Sequence, residues 1–219
     1  MEKGYFITGT DTNVGKTWAT IALMRYFKNQ GKSVAGMKPV ASGCVIQDGQ
    51  LKNEDALLIQ ENASLPIDYD LINPYAYELP VSPHIAGVKK PVKFGQLIDK
   101  FELLKTLADV VVVEGAGGWY TPLNEQESNS DLAIVLALPV IMVVAIRLGC
   151  INHARLTYQA IKQSGVNCAG WIAACTDPEL LSRDENINTI KATVDAPLLG
   201  VLPYMEVSDF DFFSEQLKL

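Results

Sequence analysis

Six short apolar stretches carry almost no polar interruption: GYFIT (4–8), SVAGMK (33–38), DVVVVE (109–114), VIMVVAI (140–146), CAGWIAA (168–174) and LLGVLP (198–203). A strand with one wet face alternates apolar and polar residues, whereas a strand covered on both faces reads as a continuous apolar run. The six therefore read as buried strands. Helix candidates lie between them at 16–30, 53–62, 94–107, 128–137, 152–164 and 179–193. Gly31 and Gly165 close the first and fifth of these, as glycine does at helix C-termini. Alternating strands and helices need crossover connections, so the expected fold is α/β, with a mostly parallel central sheet and helices on both faces. Such sheets bind ligands beyond the carboxyl ends of their strands. Residues 63–93 break the rhythm with five prolines, which predicts a long loop with a functional part.

One run tests for a membrane span. LAIVLALPVIMVVAI (132–146) is uncharged over fifteen residues, short of the roughly 20 that a spanning helix needs. Pro139 splits it into a helix end and a strand. With 219 residues, 48% hydrophobic and 20% charged, the chain reads as one globular domain over 1–219. A net charge of −7 excludes a broad nucleic-acid footprint but not a small anion held by a few local cations. The four cysteines (Cys44, Cys150, Cys168 and Cys175) form no C-x-x-C pair, and His84 and His153 are the only histidines. Zinc is therefore not expected, and reduced thiols fit a cytoplasmic protein. The opening MEKGYFITGT lacks the apolar core of a signal peptide.

The chemistry begins at GTDTNVGKT (9–17), directly behind the first strand and ahead of the first helix. Its ending, Gly15-Lys16-Thr17, is that of a phosphate-binding loop. The usual spacing puts four residues between the glycines; here Thr10 to Val14 make five. Between a strand and a helix, backbone N–H groups and the helix N-terminus wrap phosphate. Lys16 adds a full charge, and Thr17 offers a hydroxyl to Mg²⁺. Related ATPases that act as dimers often carry a second lysine early in the loop, where Thr10 stands here, which counts against a partitioning-type regulatory ATPase. Glu114 closes its strand where an acid that holds Mg²⁺ sits in phosphate-loop enzymes. An acid at the end of a buried strand needs a cation or donors.

GTDTNVGKT resembles the nucleotide loop of the dethiobiotin synthetase family. GMKPVASG (36–43), NPYAYELPVSPHIA (73–86), VEGAGGWYTPL (113–123) and RLGCINHA (147–154) resemble the same family in the same order. The likeness spans residues 4 to 171 and implies an ATP- and Mg²⁺-dependent enzyme that closes a ureido ring on 7,8-diaminononanoate with CO₂. It implies catalytic roles for Thr12, Lys16, Lys38 and Ser42. Nucleotide contacts would come from Asn13, Val14, Gly15, Lys16, Thr17, Trp18, Asp55, Glu114, Gly115, Ala116 and Gly117. Thr17, Asp55 and Glu114 would hold the metal; on the residues alone, an ordinary helix-start acid is the better reading of Asp55. Lys38, Ser42, Gly118 and the segment Leu148, Gly149, Cys150, Ile151 and Asn152 would bind substrate. The family reading makes the chain a homodimer, with that segment reaching the neighbour's substrate; capping of the following helix by Asn152 is the plainer reading of the residues.

One departure stands out. After Gly170-Trp171 the family commonly places an Asn-Asp pair that reads the adenine edge, but here Ala174 and Cys175 occupy those places. Alanine has no amide, so base contact would fall to backbone groups, joined by Pro203, Tyr204 and Met205. This predicts a weakened preference for ATP over other triphosphates. Two other functions share the loop and fold: a nucleotide-dependent switch for a protein partner, and an amidotransferase relative, which would need a further glutaminase domain.

Overall fold

The computed structural model describes residues 4–219; residues 1–3, which open the span expected to be one domain, lie outside the described residues. In chain order the elements are β1 (Gly4–Gly9), α1 (Lys16–Asn29), β2 (Val34–Met37), β3 (Val40–Ser42), β4 (Val45–Gln47), β5 (Gln50–Lys52), α2 (Glu54–Glu61), α3 (Tyr69–Ile72), β6 (Tyr75–Tyr77), α4 (Pro83–Ala86), α5 (Phe94–Leu107), β7 (Val110–Gly118), α6 (Asn129–Val135), β8 (Val140–Ala145), α7 (Cys150–Gln163), β9 (Cys168–Ala174), α8 (Arg183–Thr193), β10 (Leu198–Leu202) and α9 (Phe210–Glu215). The six apolar runs form one sheet in the order β10-β9-β8-β1-β7-β2. Every pairing in it is parallel.

The apolar runs are continuous because both faces are covered. Phe6, Ile7, Val111–Val113 and Ile141–Val144 are fully buried, each side chain contributing about 1.5–3 kcal/mol of transfer free energy. Helix α1 turns Ala19, Ile21, Ala22, Leu23 and Met24 inward, and α9 closes over it with Phe213 against Trp18. From β1 the chain crosses over β7 to reach β2, and from β7 it crosses over β1 to reach β8. That reversal opens a crevice at the carboxyl ends of β1 and β7. There the β1–β7 register jumps from Ile7↔Glu114 to Gly9↔Gly118, so residues 115–117 bulge over the crevice.

Residues 63–93 are more ordered than their prolines predict, holding α3, β6 and α4. The stretch is stitched to the exit of β2: Lys38 N–H donates to Ile72 O (2.8 Å), Asn73 Nδ2 donates to Lys38 O (2.7 Å), and β6 pairs with β3. Local pattern missed it because these elements are three or four residues long and held by long-range partners. A second difference concerns α7. It starts at Cys150 with Gly149 as its left-handed N-cap, so Asn152 lies inside the first turn and is not the cap.

Candidate active site

The loop between β1 and α1 folds back tightly on itself. A Cβ on Gly9 would lie 2.6 Å from Val14 Cγ2 and 2.8 Å from Asp11 O, so only glycine fits there. Gly15 caps α1 in the left-handed region, with φ near 87°, a conformation that L side chains resist. The loop's start is tied to the sheet by Thr10 N–H donating to Val143 O (3.0 Å). Lys16 Nζ turns back onto Asp11 O at 2.9 Å. The unpaired amides at the start of α1 and this ammonium therefore point into one concavity, the arrangement that receives phosphate. Five intervening residues still make a phosphate cradle, and within them the Asp11 carboxylate meets Arg147 Nη2 at 2.9 Å.

Beneath the loop lies a cluster of buried charge. Lys38 leaves the end of β2 and its ammonium contacts Glu114 Oε1 at 2.5 Å and Asp55 Oδ2 at 3.0 Å. Thr17 Oγ1 donates to the same Glu114 oxygen at 3.0 Å. Lys16, Lys38 and Glu114 are buried, and Glu114 is fully so. Burial opposes charge on Lys38, but Glu114 and then Asp55 outweigh it and hold its pKa above the ordinary lysine value. For Asp55, burial acts upward and the Lys38 ammonium pulls the carboxyl below its usual range. Lys16 has no such carboxylate in contact. Burial and then the nearby Lys38 charge bring it down to about 8.

Two atoms mark where a ligand is wanted. Glu114 Oε2 and Ser42 Oγ are buried and find no hydrogen-bond partner among the described residues. A buried acceptor left unpaired costs about 1–3 kcal/mol, so each fits a group arriving with the ligand. Glu114 Oε2, the Thr17 hydroxyl and the Asp55 carboxylate are hard oxygen donors grouped beside the phosphate loop, a set that suits Mg²⁺.

The cavity that joins these groups measures about 850 Å³. Thr12, Asn13, Val14, Gly15, Lys16, Thr17, Trp18, Lys38, Ser42, Asp55, Glu114, Ala116 and Gly117 all line it. Its far wall is Pro80, Val81, Ser82 and Pro83, so the proline-rich stretch does border the site. Gly115 and Gly118 sit behind the lining, where Asn129 shapes the bulge. The Asn129 amide donates to the carbonyls of Ala116 (2.5 Å) and Gly118 (2.8 Å). Asn129 is buried at the start of α6; a lone asparagine in SNSDLA gives no motif that would have singled it out.

The other expected residues fall outside this cavity. Cys175, Pro203 and Tyr204 border an adjoining hollow of about 530 Å³, together with Asp177, Arg183 and Glu185. Ala174 is buried against the phosphate loop, since a Cβ on Gly15 would come within 3.0 Å of its own. The backbone here is already committed: Cys175 N–H donates to Leu202 O (2.9 Å) and Ala174 O accepts from Ile146 N–H (2.8 Å). Met205 packs partly against the core. Leu148 to Asn152 form the turn into α7, with Leu148 92% exposed, and they do not line the cavity of their own chain.

Comparison with known proteins places this architecture. Among solved structures, the septum site-determining protein MinD complexed with Mg-ADP from Pyrococcus horikoshii superposes with a TM-score of 0.62 at 16% identity, covering 99% of this chain and 87% of that one. This likeness speaks to a phosphate-loop NTPase fold alone. A family profile described as an AAA domain matches residues 3–210. The ATP-dependent dethiobiotin synthetase BioD of Aromatoleum aromaticum is 44% identical over 219 residues, covering 99% of this chain and 97% of its relative. BioD 1 of Escherichia coli K12 is 44% identical over 207 residues, 94% of this chain and 92% of its own. With a phosphate loop, an acid-held lysine and full-length relatives at this identity, the chain belongs to the dethiobiotin synthetase family.

Proposed function

We propose that this chain, acting as one catalytic domain over 1–219, closes the ureido ring of dethiobiotin from 7,8-diaminononanoate, CO₂ and ATP, with release of ADP and phosphate. The observation that carries the reading is the convergence of the Lys16 and Lys38 ammonium groups and the partnerless Ser42 hydroxyl on one cavity beside a phosphate loop. One amine of the substrate attacks CO₂, and loss of a proton leaves a carbamate. A carbamate oxygen attacks the γ-phosphorus as the bond to the β–γ bridging oxygen breaks, and ADP departs. The second amine then attacks the carbonyl carbon of the mixed carbamic-phosphoric anhydride. That carbon's bond to the phosphate oxygen breaks, a proton is released, and the ring is closed.

Nothing in this sequence needs a side-chain nucleophile; it needs alignment and charge neutralisation. Lys38, kept protonated by Glu114 and Asp55, sits between carbamate and transferring phosphoryl. Lys16 exchanges the Asp11 carbonyl for outer phosphate oxygens, and Thr12 borders the same group. Ser42 orients the carbamate. Thr17, Asp55 and Glu114 would hold Mg²⁺, which supplies neutralisation of phosphate charge when bound. The base lies toward Ala174, Cys175, Pro203, Tyr204 and Met205.

The chain works as a homodimer in the cytoplasm, and the Leu148–Asn152 turn meets the substrate of the neighbouring subunit. Exposed Leu148 and Leu156 at and on α7 and unpaired cysteines throughout support this, and sedimentation velocity at micromolar concentration reads the dimer directly. For the activity, the test is ADP release from Mg²⁺-ATP and bicarbonate with and without the diamine. Diamine-dependent release with dethiobiotin seen by mass is expected; diamine-independent hydrolysis would favour a nucleotide switch instead.

A further inference from the structure

The ion pair between Asp11 and Arg147 lies outside the catalytic set and joins the phosphate loop to the turn into α7, which sequence keeps 136 residues apart. Asp11 is a hub. Its backbone carbonyl holds Lys16 Nζ at 2.9 Å, its Oδ1 accepts the Thr12 N–H at 2.7 Å, and its Oδ2 meets Arg147 Nη2 at 2.9 Å. Arg147 is anchored at its other end, where its carbonyl accepts the Cys150 N–H at 3.0 Å and so shapes the turn into α7. A continuous line of contacts thus runs from the phosphate-binding lysine to the start of α7.

We infer that Asp11 and Arg147 are positioning residues that couple nucleotide binding in one subunit to acceptor binding in its neighbour through the Leu148–Asn152 turn. An incoming phosphate competes for the Lys16 ammonium and so bears on Asp11, whose carbonyl that ammonium holds and whose carboxylate holds Arg147. The Asp11 carboxylate, separate from the carbonyl that Lys16 meets, holds Arg147 throughout, so the phosphate loop and the α7 turn move as one unit. A ligand that stabilises either end therefore favours the other, and by thermodynamic linkage the effect is reciprocal. The inference rests on the proposed acceptor role of the turn.

Calorimetric titration of the full chain with Mg²⁺ and the unreactive β,γ-methylene analogue of ATP, with and without 7,8-diaminononanoate and without bicarbonate, reads the coupling. The wild type should bind each ligand about two- to fivefold tighter when the other is present, the range an exposed ion pair supports. Arg147→Met and Asp11→Asn should each bind the single ligands nearly as the wild type does but lose the mutual tightening. The double variant should lose no more than either single one. Arg147→Lys should keep part of it, and raised salt should erode it in the wild type.

Full tightening retained in Arg147→Met would overturn the proposal. So would a loss of diamine affinity beyond about tenfold in Arg147→Met with no nucleotide present, which would make Arg147 a direct ligand. A wild type that binds both ligands without tightening defeats the coupling alone. A wild type that binds nucleotide but no diamine defeats the functional reading and the coupling with it.

Discussion

At the phosphate end of the site, Lys16, Lys38 and Glu114 are buried, Asp55 and Thr17 complete the cluster, and each cation meets an oxygen. At the end we assign to the base, the Ala174 side chain offers no polar atom, and the amide of Cys175 and the carbonyl of Ala174 are spent on the sheet. The first end is costly to assemble, since buried charges need matched partners. The second asks for little beyond shape. The contrast teaches that matched, buried charge is gathered at the phosphate end, whereas the charged groups at the other end, among them Asp177, Arg183 and Glu185, line an open hollow.

Removing Lys38 should have the largest effect. Lys38→Met is expected to lower turnover by about 10²–10³-fold. It also strands Glu114, at a cost of about 3–5 kcal/mol in stability, visible as a lower urea midpoint. Lys38→Met combined with Glu114→Gln should recover much of the stability and none of the activity, which separates the chemical role from the structural one. If Lys38→Met folds normally and keeps near-wild-type turnover, the phosphate end has been misread.

Lys16 comes next. Lys16→Met should weaken Mg²⁺-nucleotide binding by about 10–100-fold. Because burial and Lys38 lower its pKa to about 8, the free protein begins to lose this charge as pH rises through that value. Phosphate binding favours the ammonium, so affinity should fall above about pH 8, by up to tenfold per pH unit. The decline should be absent in Lys16→Met. A wild-type affinity flat to pH 9.5 would remove Lys16 from the phosphates.

The base end predicts a smaller number. With no side-chain amide at position 174 and with the Cys175 N–H and the Ala174 carbonyl engaged in the sheet, kcat/KM for ATP should exceed that for GTP or CTP by no more than about tenfold, since only sites built to hydrogen-bond a group reject its absence strongly. A preference of 10³ or more would show that the adjoining hollow, through Asp177, Arg183 or Tyr204, reads the base after all. The smallest effect concerns the bulge between the two ends. Asn129→Ala frees the carbonyls of Ala116 and Gly118 and should cost about 1–3 kcal/mol of stability, measured by denaturant unfolding.

The sheet was legible from its sequence because strands buried on both faces need uninterrupted apolar side chains, and each of the six runs became a sheet strand. The phosphate loop was legible because its glycines answer a local backbone demand. Residues 63–93 were not, since α3, β6 and α4 are too short for periodicity and owe their order to distant partners such as Lys38 and Gln96. Asn129 and the Asp11–Arg147 pair were invisible for a related reason: an amide or a carboxylate names its partner only once the fold brings that partner near. The start of α7 was misplaced by taking Asn152 as a cap, where Gly149 in the left-handed conformation does the work.

The central claim is that a carbamate oxygen, held near Lys38 and Ser42, attacks the γ-phosphorus. Oxygen transfer tests it most directly. With ¹⁸O-labelled CO₂, unlabelled ATP and the diamine in a single short turnover, the account predicts one ¹⁸O in the released phosphate, carried over when the ring closes. Phosphate free of label, formed at the same rate as dethiobiotin, would mean that water takes the phosphoryl group and would contradict it.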